Sequence, residues 1–221
     1  MNKFVLYFCL TLLYLGLSKS LAPTEFGISY ISNKEGLSKL LPGAPLSAIL
    51  IDRHSTGFLI KTYYHKYKIV YGFQTFVDII VRTSPALDAE FAPFLGMSIF
   101  RRYRNDGTET YTPLPPGSIF IGDKNFGRWI NNKGKDQWRF FRTYRQIPVY
   151  LKWEDYNPTK DEFSAIKIHE SENRPYYGKN KLFGLDGKIT KKSFPDYYKR
   201  TKKQNINFKT FFKNYLKENF I

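Results

Sequence analysis

The chain has 221 residues and carries 35 Lys and Arg against 19 Asp and Glu, a formal charge of +16. Hydrophobic residues make up 42% and aromatic residues 18%, which excludes extended disorder, collagen-like repeats and coiled-coil fibres. A chain of this length suits one domain and hides about 70% of its unfolded surface on folding, so a sizeable core needs no staples.

Met1–Ser20 has a lysine near its start, an uninterrupted apolar run from Phe4 to Leu15, and a small, polar exit ending Ser18-Lys19-Ser20. That order is the layout of a secretory signal, and the run falls short of the ~20 residues that span a bilayer. Residues 1–20 are therefore predicted to be a signal peptide cut after Ser20, leaving 21–221 as a single exported α+β domain, periplasmic or extracellular. The cut removes Lys3 and Lys19, lowering +16 to +14, and removes Cys9, the chain's single cysteine. A mature chain without thiols excludes disulfides, thiolate zinc sites and cysteine nucleophiles.

In chain order, Glu35–Leu41 suggests a turn of helix, and Leu46–Ile51 is a buried apolar segment. Tyr63, His65, Tyr67, Ile69, Tyr71 and Phe73 alternate with Lys66 and Lys68, the period-two pattern of a half-buried strand. Gln74–Arg82 reads as a helix. A second helix opens at Pro85, with Ser84 as its cap, and runs toward Arg102, although Pro93 and Gly96 interrupt it. The proline-rich stretch 112–117 is a loop, read as a hinge inside one domain. Ser118–Ile121, Phe126–Ile130, Gln137–Tyr144 and Pro148–Trp153 are short, aromatic and separated by turn residues, as in a small antiparallel meander. Asn157 with Pro158 marks a helix start. Asp186-Gly187 is a hairpin-type dipeptide. Phe208, Phe211, Phe212, Tyr215, Leu216 and Phe220 lie at helical spacing, with lysines opposite. The expected architecture is thus α+β: a helical N-terminal half with a strand, a small antiparallel β-meander in the second half, and an amphipathic C-terminal helix.

The charge is unevenly placed. Eight bases face one acid between Lys124 and Lys152, and twelve face three from Gly178 to Ile221, while Trp153–Glu172 is acidic. Arginines interleave with rings in Arg101-Arg102-Tyr103-Arg104 and in Trp138–Arg145. Guanidinium groups grip phosphate or carboxylate while rings stack on bases or sugars. Arg101, Arg102, Arg104, Arg139, Arg142, Arg145, Lys191, Lys192, Arg200, Lys202 and Lys203 are therefore the expected polyanion-binding set. The bland reading is that the rings are core and the cations an ordinary sheet covering.

Two clusters carry the residue types of acid–base chemistry. Asp52 and His54 share a strand face, so the carboxylate is able to orient the imidazole as a general base. Glu162 and His169 lie seven apart on one face of the helix after Asn157, inside the acidic island, and paired carboxylates are the minimal equipment of glycoside hydrolysis. Both clusters also have bland readings, a turn after the Leu46–Ile51 segment and a solvated helix with an acidic first turn. No phosphate loop, nucleophile elbow, calcium loop or zinc spacing is present, so no cofactor or metal is expected. The leading expectation is an exported basic protein that binds anionic envelope polymer or membrane surface, with nucleic acid as a further partner. The alternative is a secreted hydrolase of cell-wall glycan or nucleic acid built on Asp52/His54 or Glu162/His169.

Overall fold

The computed structural model describes residues 3–21, 27–57, 61–72, 76–153 and 156–204. In chain order the elements are α1 (Lys3–Leu21), β1 (Tyr30–Ile31), α2 (Glu35–Leu40), β2 (Leu46–Thr56), β3 (Thr62–Tyr71), β4 (Phe76–Thr83), α3 (Pro85–Phe91), β5 (Ser98–Arg102), β6 (Glu109–Thr110), β7 (Gly127–Asn132), β8 (Lys135–Phe140), α4 (Ile147–Tyr150), α5 (Lys160–Ser171), α6 (Lys188–Ser193) and α7 (Pro195–Gln204). Six strands form one mixed sheet in the order β1-β4-β3-β2-β5-β6, and β7 and β8 form a separate hairpin. Among the described strands only the β1–β4 pairing is parallel.

This corrects the expected helical first half. Between residues 27 and 110 the described chain is mostly strand, and its helices, α2 and α3, are short. The expected helix Gln74–Arg82 is strand β4, where Val77, Ile79, Ile80 and Val81 supply the branched side chains a pleated surface favours. Its 3.6-residue pattern loses to pairing with β3 along eight registered positions. The expected helix Pro85–Arg102 is capped as read, with the Ser84 hydroxyl accepting from the Leu87 amide at 3.1 Å, but α3 ends at Phe91. Pro93 closes it into one 3-10 turn, and Gly96 at φ +77° turns the chain into β5. The meander shrinks to one hairpin: Ser118–Phe120 is a buried 3-10 turn, and the Pro148–Trp153 segment contains α4 in place of a strand. Asp186-Gly187 leads into α6, with Gly187 at its N-cap, and forms no hairpin. The expected helix over 208–220 lies outside the described residues.

β2 explains the layering. Its first five residues are buried, with β3 on one side and β5 on the other. Alternation then sends Leu46, Ala48 and Leu50 to one face and Ile49 to the other. The first face, with Tyr67 and Ile69 of β3, packs against Leu37 and Leu41, against Leu87 and Phe91 of α3, and against Tyr197 of α7. The second, with Val70, packs against Phe120, Phe126, Trp138, Ile147, Trp153, Tyr156, Ile166 and Phe183. Each fully buried large apolar side chain contributes about 1.5–3 kcal/mol. The described side chains of α1 are all exposed and join neither cluster. No helix among the described residues is long and apolar enough to cross a membrane.

A buried guanidinium ties the second layer to the sheet. Arg101 of β5 is fully buried and donates to the carbonyl oxygens of Ser98 (3.1 Å) and Thr112 (2.8 Å) and to Oε1 of Glu170 on α5 (3.3 Å). The same carboxylate accepts from the Tyr103 hydroxyl at 2.6 Å and from Lys167 at 3.1 Å. Burial pushes the Glu170 carboxyl up, but Arg101, Tyr103 and Lys167 more than offset this and hold it below its ordinary value. Arg101 is thus removed from the expected polyanion surface. Substituting Arg101→Met leaves Glu170 without its main counter-charge and should cost about 3–5 kcal/mol in urea unfolding, with Glu170→Gln in the same chain recovering part of the loss.

Candidate functional site

The structure keeps Asp52 and His54 together on one face of β2, but as a surface ion-pair group. A bulge after Leu50 brings Asp52 opposite Lys66 and His54 opposite Tyr64. The Asp52 carboxylate is held by the Arg200 guanidinium of α7, which also donates to the Arg53 carbonyl at 3.2 Å. His54 Nδ1 stands 4.0 Å from Asp52 Oδ2, and its ring stacks on Tyr64 at 5.1 Å. The expected polyanion ligand Arg200 is therefore already paired with the expected catalytic acid.

The other face of the same strands holds a tighter cluster that sequence reading missed. Arg53 and His65 are cross-strand partners, and both reach Asp88 of α3. Arg53 donates to the two carboxylate oxygens at 3.0 and 2.7 Å. His65, fully buried, contacts Asp88 through Nε2 and the Tyr67 hydroxyl through Nδ1, each at 2.8 Å. A proton on Nε2 is what the Asp88 carboxylate accepts, while Nδ1 shares its hydrogen bond with the Tyr67 hydroxyl. Burial drives the His65 pKa down, only partly opposed by Asp88. Burial also pushes Asp88 up, yet the hydrogen bonds from His65 and Arg53 hold it below the ordinary carboxylate range. The signal in sequence was His65 at an inward position of an alternating strand, where a buried imidazole needs a partner.

Glu162 and His169 both lie on α5 but do not act on each other. Thr159, not Asn157, caps the helix: its hydroxyl accepts from the Glu162 amide and Glu162 Oε2 accepts from the Thr159 amide, both at 3.3 Å. The Thr159-x-x-Glu162 spacing is a legible capping box. His169 Nδ1 lies 3.1 Å from the Pro175 carbonyl, and its ring packs on Tyr176 at 4.9 Å. Glu162 nevertheless opens onto an open groove of about 830 Å³ between the β7–β8 tip, the start of α5 and the segment 176–182. Asp136, Asp161, Tyr156 and Tyr176 also line it, while His169 does not. Burial pushes the Tyr156 hydroxyl well above its ordinary value, and the nearby Glu162 adds to it. No group of three His, Cys, Asp or Glu able to hold a metal ion exists among the described residues.

The remaining expected cations divide sharply. Arg102 is paired with Glu109 at 2.7 Å and donates to the carbonyls of Leu41 and Ser38. Lys191 lies 3.6 Å from Asp186, and Arg104 and Lys192 each have an interaction of their own. Lys202 is exposed, and the side chain of Lys203 lies outside the described residues. By contrast Arg139, Arg142 and Arg145 are exposed and make no ion pair among the described residues. Arg128, which was not singled out in the sequence, joins them as the cross-strand partner of Arg139. The hairpin's other face buries Trp138 and half-buries Trp129 against Phe163 and Trp153, so the arginine face points outward. Residues 142–144 form a 3-10 turn, which releases Arg142 from the ring side where a continued strand would have placed it.

The His65 pair sets an acid limit for the fold. Its lowered folded-state pKa means the unfolded chain binds the proton more tightly, so its stabilisation is complete above about pH 6.5 and is lost as pH falls below that. Urea midpoints should fall between pH 7 and 5 with a slope of up to about 1.4 kcal/mol per pH unit from this group, and His65→Gln should flatten that slope. The chain matches no family model, no curated protein and no solved structure.

Proposed function

We propose that this protein is exported and binds anionic polymer of the cell envelope through the outward face of the β7–β8 hairpin and the turn that follows it. The observation that carries this reading is the set Arg128, Arg139, Arg142 and Arg145: exposed, the first two opposite each other on the hairpin and the others in and after the turn that follows it, and without acidic partners among the described residues. Elsewhere acids cancel Arg53, Arg101, Arg102 and Arg200. Two like charges placed directly opposite on a ladder destabilise the hairpin, and a phosphate or carboxylate between them reverses the sign of that interaction. Phe141, exposed between Arg139 and Arg142, offers a ring beside the guanidinium groups.

Export rests on the N-terminal pattern. Support comes from α1, whose described side chains, Phe4, Tyr7, Phe8 and Tyr14 among them, stay exposed and add nothing to either core cluster. Its removal would leave both cores whole.

Residues 21–221 should bind phosphatidylglycerol vesicles, isolated cell-wall sacculi or single-stranded DNA with an affinity that falls linearly in log–log form as salt rises. Replacing Arg128, Arg139, Arg142 and Arg145 together by Gln should lower that slope by roughly 3, since about 0.7–0.9 of a counterion is released per phosphate contact. Retention that is flat with salt, or a fourfold variant that binds like the parent, would defeat the reading. Finding the unprocessed chain in the cytosol would defeat the export part.

A further inference from the structure

We propose that Arg128 and Arg139 form a clamp for one phosphomonoester group, so that what the hairpin grips is a monoesterified phosphate and not a carboxylate or a phosphodiester. This rests on the polyanion reading above and narrows it to a ligand group.

The first observation is register. The Trp138 amide donates to the Pro158 carbonyl at 2.8 Å, on the side of β8 away from β7, while the Phe141 amide donates to the Phe126 carbonyl at 2.9 Å on the near side. Alternation then turns the backbone groups of Arg139 toward β7. Arg128 and Arg139 are therefore a hydrogen-bonded cross-strand pair, with Cα atoms about 5.5 Å apart and both side chains on one face. The ladder itself anchors two guanidinium groups side by side.

The second is the lack of a counter-charge on that face. By the same alternation the ladder residues sharing it are Ile130, Asn132, Lys135 and Gln137, none of them acidic. Asp136 lies on the opposite face and is tied to Lys160 at 2.9 Å. The three arginines that the main sheet pairs, Arg53, Arg101 and Arg102, each have a carboxylate. Arg128 and Arg139 stand directly opposite each other with none among the described residues, an arrangement that weakens a ladder until an anion fills it.

The third is the match of charge and oxygens. Two guanidinium groups bring two positive charges and two planar forks, each fitted to a pair of oxygens. A carboxylate or a phosphodiester offers one negative charge and two free oxygens, enough for one fork. A phosphomonoester carries about −1.5 to −2 at pH 7 and three terminal oxygens, so one group neutralises both arginines and serves both forks. Arg142 and Arg145, in and after the 3-10 turn, strengthen the local field without sharing the ladder spacing.

Titrating residues 21–221 with phosphatidylcholine vesicles that hold equal mole fractions of phosphatidic acid, a monoester, or phosphatidylglycerol, a diester, tests this. Phosphatidic acid should bind about tenfold more tightly, the size of one charge-assisted hydrogen bond. Because its vesicles also carry more charge, the deciding variant keeps the protein's charge and removes the forks. Arg128→Lys with Arg139→Lys should weaken phosphatidic acid about tenfold and phosphatidylglycerol about twofold at most. Arg142→Gln with Arg145→Gln should weaken both lipids alike. Glycerol 1-phosphate and acetate, at equal ionic strength, are then compared as competitors for the vesicle-bound protein. Stronger displacement by glycerol 1-phosphate assigns recognition to the phosphate group alone. Equal displacement with the lipid preference intact assigns it to a membrane-borne headgroup, and both outcomes support the clamp. Equal affinity for the two lipids, or a lysine variant that keeps the parent's preference, would overturn it. The polyanion reading survives either of those results if the fourfold Arg→Gln variant still lowers the salt slope, and it fails alone on that measurement.

Discussion

The arrangement of the arginine hairpin and of the groove at its tip depends on one buried guanidinium. Arg101 lies in the six-stranded sheet, yet its partners are the Thr112 carbonyl and the Glu170 carboxylate of α5. A buried cation of this kind tolerates few alternative geometries, since each unmade bond leaves a desolvated donor. It therefore fixes α5 against the sheet. α5 in turn positions β8: the segment before it bridges Gln137 through Thr159, and the Trp138 amide donates to the Pro158 carbonyl at 2.8 Å. The hairpin and the groove inherit their placement from this chain of contacts.

Formal charge is a poor guide to where a basic protein is sticky. Several of its arginines serve architecture. Arg53 clamps α3, Arg101 clamps α5, Arg102 closes the chain around Leu41 and Ser38, and Arg200 holds α7 to β2. At the base of one hairpin and in the turn after it, Arg128, Arg139, Arg142 and Arg145 stay exposed with no ion pair among the described residues.

Several features were legible in the sequence because a single local rule decides them. Ser84-Pro85 sets the start of α3, the β3 alternation puts His65, Tyr67 and Ile69 inside, and Asn132-Lys133-Gly134-Lys135 turns through two residues at positive φ. Others were hidden because two rules compete. The apolar positions of Phe76–Val81 fit a helix as well as a strand, and only the neighbouring β3 settles the choice. Ser118–Phe120 and Ile147–Tyr150 have strand-like composition, but the first follows Pro115-Pro116-Gly117 and the second contains Pro148 in its first turn. Arg101 sits in a run of four residues with three arginines, and nothing local marks the one that turns inward. The groove was unreadable for another reason: its wall is drawn from three stretches, 131–137, 156–162 and 176–182, and only the fold brings them together.

The two-residue tip of the hairpin has a mechanical consequence. Its left-handed pair, Lys133 and Gly134, makes a tight reversal, so the short ladder from Gly127 to Phe140 has two distinct ends. One end carries the arginine pair and the other forms a lip of the groove. Because Gln137 and Trp138 are held to Thr159 and Pro158 between those ends, any shift of the start of α5 carries both ends with it.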